Sequence, residues 1–196
     1  MSLPPYVIAG TDEAGRGPLA GPVVAAAAVL TAGQRERLLS LGLNDSKKLT
    51  PKKREKIFAA MCEAGVEWRA QAASPRVIDR INILNASLWC MKRSVERLRL
   101  RPDLVLVDGN RLVPGLAVRQ KAVIKGDSRV PAIAAASVAA KVLRDRVMEA
   151  LDKIYPQYQF SKHKGYPSAL HRALVAEYGP SPVHRLSFRG AGGVED

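Results

Sequence analysis

Apolar and polar positions alternate along the chain in a way that predicts strands early and helices between the later strands. Residues 6–11 and 22–30 are two apolar runs and are expected as the first two strands. Between them, Asp12 and Glu13 lead into a loop carrying Gly15, Arg16, Gly17, Pro18, Gly21 and Pro22. Gly and Pro end strands, so the acidic pair is expected where the first strand stops. Residues 33–41 suit a short helix, and 44–50 a polar, basic loop. Thr50 caps the next helix, with Pro51 at its first position and Ile57, Phe58 and Met61 on one face. Residues 66–73 read as an edge strand, and Ser74-Pro75 opens a short helix. Leu84, Leu88, Met91, Val95 and Leu98 recur at three- and four-residue steps and predict a helix over 83–99.

Leu104-Val105-Leu106-Val107 is a continuous apolar run, expected as a central strand buried on both faces and ended by Asp108-Gly109-Asn110. Residues 120–124 suggest a further short strand. A long helix is expected from Pro131 to about Leu151, its first half nearly all alanine. Past Tyr155 the chain is richer in Pro, Gly, Tyr, His and Lys, with one helix around 167–178, read as an extension packed on the same domain. The whole, 1–196, is read as one α/β layered domain with a mixed sheet.

Composition changes this picture in one respect. Of 196 residues, 31 are Lys or Arg and 18 Asp or Glu, a net charge of +13. Clustered positive charge suits a polyanion such as nucleic acid. No apolar run is long enough to span a bilayer, and Met1 to Pro5 lacks a signal-peptide core, so a cytoplasmic protein without a membrane partner is expected. Cys62 and Cys90 form no metal-binding pair and are expected as buried free thiols.

Against that basic background, carboxylates stand at the predicted element ends: Asp12 and Glu13, Asp108, and Asp127 before the alanine-rich helix. Each alone has an ordinary reading: a turn cap at Asp12, an Asp-Gly turn at Asp108, a helix cap at Asp127. Together they suggest a cation site, because clustered like charges raise one another's pKa unless a cation lies between them. Oxygen ligands without His or Cys suit Mg²⁺ or Mn²⁺. Two such ions roughly 4 Å apart are the usual device for phosphodiester hydrolysis. Glycoside chemistry by a carboxylate pair is disfavoured by an aromatic content of 5%.

The segment Asp12-Glu13-Ala14-Gly15-Arg16-Gly17-Pro18-Leu19-Ala20-Gly21-Pro22-Val23 closely resembles the N-terminal signature of the bacterial ribonuclease HII family. Asn44 to Leu49, Val107 to Asn110, Lys125 to Asp127, Ile133 to Ser137, Ala140 to Asp145 and His163 to Pro167 resemble its later blocks, in its order. The resemblance implies a ribonuclease H-like fold, a mixed five-stranded sheet flanked by helices, with a C-terminal helical extension. It implies metal ligation by Asp12, Glu13, Asp108 and Asp127, with Asp145 a competitor for the last place. Asp145 is expected instead in a structural ion pair with Arg144 or Arg146. The implied activity is cleavage of the RNA strand of RNA–DNA hybrids, and nicking of DNA duplexes 5′ to an embedded ribonucleotide. Two Mn²⁺ or Mg²⁺ ions would be used, leaving 3′-hydroxyl and 5′-phosphate ends.

Such an enzyme must sense a 2′-hydroxyl. By resemblance, Gly15, Arg16, Gly17 and Tyr166 do so, although a tyrosine at 166 also suits a core position. Ser46, Lys47 and Lys48 read as a phosphate-contacting loop. Ser137 and Lys141, four apart on one helix face, are candidates for the DNA strand, and His163 and Lys164 for the backbone. His171 and His184 are read as structural. Leu186 departs from the family, where a second arginine is frequent in that place. A monomer is expected. The rival reading is a non-catalytic nucleic-acid-binding protein on the same fold.

Overall fold

A computed structural model describes residues 6–192. The N-terminal leader reading, and the outermost residues of the 1–196 domain, fall outside the described residues.

Five strands form one sheet in the order β3-β2-β1-β4-β5. They are β1 (Ile8–Ala14), β2 (Val23–Val29), β3 (Glu67–Ala73), β4 (Leu104–Asp108) and β5 (Arg119–Val123). β1, β2 and β3 run antiparallel, whereas β4 pairs parallel with both β1 and β5. The mixed sheet and the edge position of β3 agree with the sequence. β1 does not stop at Thr11: Asp12, Glu13 and Ala14 pair with Ala26, Ala25 and Val24 of β2. The ladder carries both acids because β2 offers a full-length partner, which outweighs their low strand propensity. β4 is fully buried only at Val105 and Val107; Leu104 and Leu106 are half-buried, so the expectation of burial on both faces is corrected.

The helices are α1 (Ala32–Ser40), α2 (Pro51–Glu63), α3 (Pro75–Ile81), α4 (Ile83–Glu96), α5 (Pro131–Ile154), α6 (Phe160–His163) and α7 (Ala169–Tyr178). Thr31, Thr50, Ser74, Asn82 and Ser168 each accept a backbone N–H at a helix start, the usual N-cap arrangement. One face of the sheet packs Val24, Ala26 and Ala28 against α5, α2 and α1. The other packs Ala9, Val23, Ala25, Ala27, Val105 and Val107 against α3 and α4. A third cluster, Ala20, Met148, Tyr158, Phe160, Leu174 and Val175, seats the C-terminal extension on α5.

Alanines on β2 and on the first half of α5 let helix and sheet come close. A Cβ on Gly10 of β1 would run into the backbone of Ala132 and Ile133 of α5. Cys90 is buried as expected, but Cys62 is exposed, because it falls on the outward side of α2.

Candidate metal centre and nucleic-acid cleft

Asp12 stands near the end of β1, Asp108 ends the neighbouring β4, and Asp127 lies in the turn Gly126–Ser128 beyond β5. Three separate chain segments thus meet toward the C-terminal ends of the parallel strands β1, β4 and β5. One carboxylate oxygen from each lies within 4.8 Å of the others. Asp108 Oδ1 accepts the N–H groups of Gly126 at 2.7 Å and Asp127 at 3.3 Å, which ties the turn to the strand. Asp127 caps no helix: α5 begins after Val130, without a side-chain cap.

Glu13 is not part of the three-acid group. Strand alternation sends its side chain to the opposite face from Asp12. There it meets Arg16, Nη1 to Oε1 3.4 Å, and shares a depression with Leu84, Leu88 and Met91 of α4 and with Asp108.

Burial, then the charges of Glu13 and Asp108, push the Asp12 carboxyl well above its ordinary range. Asp127 is raised by burial, Asp108 and Asp45. Burial also raises Glu13, against the opposing pull of Arg16. At Lys47, burial works to lower the pKa, but Asp12, Asp127, Asp45 and Asp108 together raise it. The acids are a set whose mutual repulsion a cation relieves. The donors are carboxylate oxygens without imidazole or thiolate, which fits Mg²⁺ or Mn²⁺.

Beside the acids runs a cleft of about 620 Å³ lined by Glu13, Gly15, Arg16, Gly17, Ser46, Lys47, Asp108, Lys141 and Tyr166. Tyr166 is 41% exposed, which removes the core-tyrosine alternative. Lys141 Nζ and the Arg144 guanidinium each lie 5.8 Å from the centre of its ring.

Other candidates lie elsewhere. Ser137 is buried, with its Oγ 2.8 Å from Ser46 Oγ and its hydroxyl proton donated to Asp12, so that Ser46 is the donor of the Ser–Ser bond. It supports the acid and the loop and is not open to a DNA strand. Ser46 is buried too, though it edges the cleft. Lys48 Nζ reaches Ser128 Oγ at 3.2 Å and does not line the cleft. The His163 ring is engaged with the backbone on both sides: Nδ1 accepts from Gly165 N–H at 3.2 Å, and Nε2 meets Tyr158 O at 2.8 Å. Lys164 pairs with Glu149 at 2.8 Å. Asp145 does form a structural pair, but with Lys141 at 2.6 Å and Arg54 at 3.3 Å, not with its neighbours. Arg146 turns outward to Glu55 at 2.6 Å.

Sequence reasoning missed Arg144, which is fully buried. Its guanidinium donates to the carbonyls of Pro22, Lys164 and Ala20 at 2.9, 3.0 and 3.1 Å. The available signal was spacing. Ala140, Arg144 and Met148 follow one another at four-residue steps along the buried stripe of α5.

Comparison with known proteins agrees with this geometry. The family model described as Ribonuclease HII matches residues 9–191. A Ribonuclease HII of Vibrio cholerae is 48% identical over 195 residues, covering 96% of this chain and 92% of the relative. The crystal structure of the ribonuclease H2 from Pyrococcus horikoshii OT3 superposes with a TM-score of 0.79 at 31% identity, covering 95% of both chains. The ribonuclease HII of Archaeoglobus fulgidus, solved in a complex with PCNA, gives a TM-score of 0.75 at 29% identity, covering 88% of each.

Proposed function

This chain belongs to the ribonuclease HII family and is a ribonuclease H enzyme, and we propose that it hydrolyses the RNA strand of RNA–DNA hybrids and nicks DNA duplexes 5′ to single embedded ribonucleotides. The observation that carries the proposal is a juxtaposition. Three carboxylates within 4.8 Å of one another border a cleft whose wall is Gly15, Arg16, Gly17 and the exposed ring of Tyr166.

Asp12, Asp108 and Asp127 would hold the divalent ions, with Glu13 bordering the same cleft from the other face of β1. When bound, Mn²⁺ or Mg²⁺ would supply Lewis-acid activation of a water and stabilisation of the leaving oxygen. The chain itself supplies position. Asp108 is fixed by two backbone N–H groups, and Asp12 is oriented by Ser137. Arg16, Lys47 and Lys141 bring positive charge to the phosphate backbone at the cleft. The Tyr166 ring is braced by two cations and presents a flat face and a hydroxyl to the sugar. The complete acid set favours an enzyme over a binding protein on the same fold, which has no need of clustered repelling carboxylates.

The test is a DNA duplex containing one ribonucleotide, incubated with the protein and Mn²⁺ or Mg²⁺. Cleavage on the 5′ side of the ribonucleotide is expected, giving 3′-hydroxyl and 5′-phosphate ends, and Asp108→Asn abolishes it. Binding without cutting by the wild-type chain would overturn the reading. Tyr166→Ala is expected to remain folded and to lose cleavage at the single ribonucleotide.

A further inference from the structure

Arg185 is fully buried, and among the described residues its guanidinium forms no ion pair within 4.0 Å. It is spent instead on backbone oxygens of one loop. Nε donates to Gly21 O at 3.0 Å, Nη1 to Arg16 O at 3.0 Å and Nη2 to Gly15 O at 2.6 Å. Its own backbone N–H donates to Leu19 O at 2.8 Å, and its guanidinium stacks over Phe188 at 5.1 Å. Arg144 holds the other half of the loop through Ala20 O and Pro22 O. Five carbonyls of the segment 15–22 are therefore drawn inward by two buried cations.

Such burial is costly for a charged group, and it pushes the Arg185 pKa down to about 9. The loop gains a fixed orientation in return. The described chain has no cis peptide, and in a trans peptide the N–H points opposite to the C=O. With Gly15 O and Arg16 O turned in to Arg185, the N–H groups of Arg16 and Gly17 turn out. Neither N–H meets an acceptor among the described residues. They border the cleft that also holds Asp108 and Tyr166. Gly15 has φ +96°, and a side chain there would strike the Arg144 guanidinium, so the loop has little freedom to reorient.

We infer that Arg185 is a positioning residue for substrate choice. By holding the Gly15 and Arg16 carbonyls, it aims the Arg16 and Gly17 N–H groups at the sugar–phosphate of a ribonucleotide and thereby sets the preference for ribose over deoxyribose. The inference rests on the substrate class proposed above. The fork geometry matters as well as the charge, because three carbonyls in different directions are matched by a planar guanidinium and not by an ammonium.

The experiment compares the wild-type chain with Arg185→Gln and Arg185→Lys. Fold is followed by circular dichroism and thermal unfolding, and Mn²⁺ affinity by calorimetry. Preference is read as KM and kcat on a duplex with one ribonucleotide, against inhibition by the matched all-DNA duplex. The Gln variant is expected to bind Mn²⁺ as the wild type does, while its preference for the ribonucleotide duplex falls at least 10-fold and kcat falls with it. The Lys variant is expected to fall between the two. A folded Gln variant with unchanged preference overturns the inference. If neither variant folds, amide hydrogen exchange on the wild-type chain, without divalent ions, decides it. Arg16 and Gly17 are expected to gain protection with the ribonucleotide duplex and not with the all-DNA duplex; equal protection overturns the inference. A wild-type chain that cuts no ribonucleotide-containing duplex overturns the substrate reading and this inference with it.

Discussion

The buried pair His171 and His184 makes the stability of this fold depend on pH in a calculable way. The rings are 0% and 2% exposed, with Nε2 to Nε2 3.0 Å. His184 Nδ1 accepts from Ser181 N–H at 2.9 Å, so its proton sits on Nε2 and is donated to His171. His171 in turn donates from Nδ1 to Tyr166 O at 3.0 Å. One neutral tautomer of each ring satisfies the whole chain of bonds, and an added proton sets two donors against each other. Burial first, then the partner ring, lowers His184 to about 4. Burial is also the main cause at His171, likewise lowered to about 4, and stacked His163 at 4.2 Å pushes in the same direction. Between pH 6.5 and 4 the unfolded chain holds a proton that the folded one refuses. Stability is therefore fully present above about pH 6.5, declines as pH falls, and stops declining below about 4. By pH 5 each histidine accounts for a loss of about 2 kcal/mol. Urea unfolding at steps from pH 7.5 to 5 measures it. His184→Gln carries a constant offset from its lost bond, but loses about 2 kcal/mol less stability over that span than the wild type. A wild-type-minus-variant difference that is flat with pH would refute the argument.

Three further outcomes follow from particular contacts. Asp108→Asn keeps an oxygen for the Gly126 and Asp127 N–H groups but removes charge from the cluster, so in EDTA it is expected to be more stable than the wild type by about 1 kcal/mol. Calorimetry checks this, and an unchanged or lower midpoint contradicts it. Asp145→Asn strips the carboxylate from Arg54 and Lys141, whose side chains are 10% and 15% exposed. It is expected to cost about 3 kcal/mol in urea unfolding while leaving Mn²⁺ affinity intact; lost affinity would make Asp145 a ligand after all. Gly10→Ala drives a Cβ into the Ala132–Ile133 backbone and is expected to cost about 1–3 kcal/mol, with an unshifted urea midpoint as the contrary result.

What the sequence could reveal followed the physics of each residue. Strands β2 and β4 were legible because apolar runs, Val and Ala in one and Leu and Val in the other, are bounded by Gly, Pro and charge. The grouping of Asp12, Asp108 and Asp127 was legible because each acid falls at an element end on the same side of the sheet. Glu13 borders the same cleft from the opposite face of β1, an offset that ending β1 at Thr11 did not reveal. The anchoring roles of Arg144 and Arg185 were invisible for another reason. Their partners are carbonyl oxygens, which every residue carries, so no pairing appears in the letters. The internal partners of Ser137 and His163 were hidden in the same way. A polar residue near a motif looks like a contact until its partners are seen to be internal.

The alanines of β2 and α5 connect core packing to the metal centre. Larger side chains would fill the interface equally well, but would push α5 away from the sheet. Ser137 would then leave Asp12, and its bond to Ser46 would no longer hold the loop that carries Lys47. The small residues thus fix a helix-to-sheet distance at which an unfavourable charge cluster is oriented, because close-packed interiors transmit small displacements. The same helix carries Arg144 one turn beyond Ala140, so its depth also sets where the glycine loop is anchored. The clustered acids and the loop beside them therefore share one mechanical reference, α5. Ala136→Val is therefore expected to weaken Mn²⁺ binding in calorimetry, and a folded variant with unchanged affinity contradicts the argument.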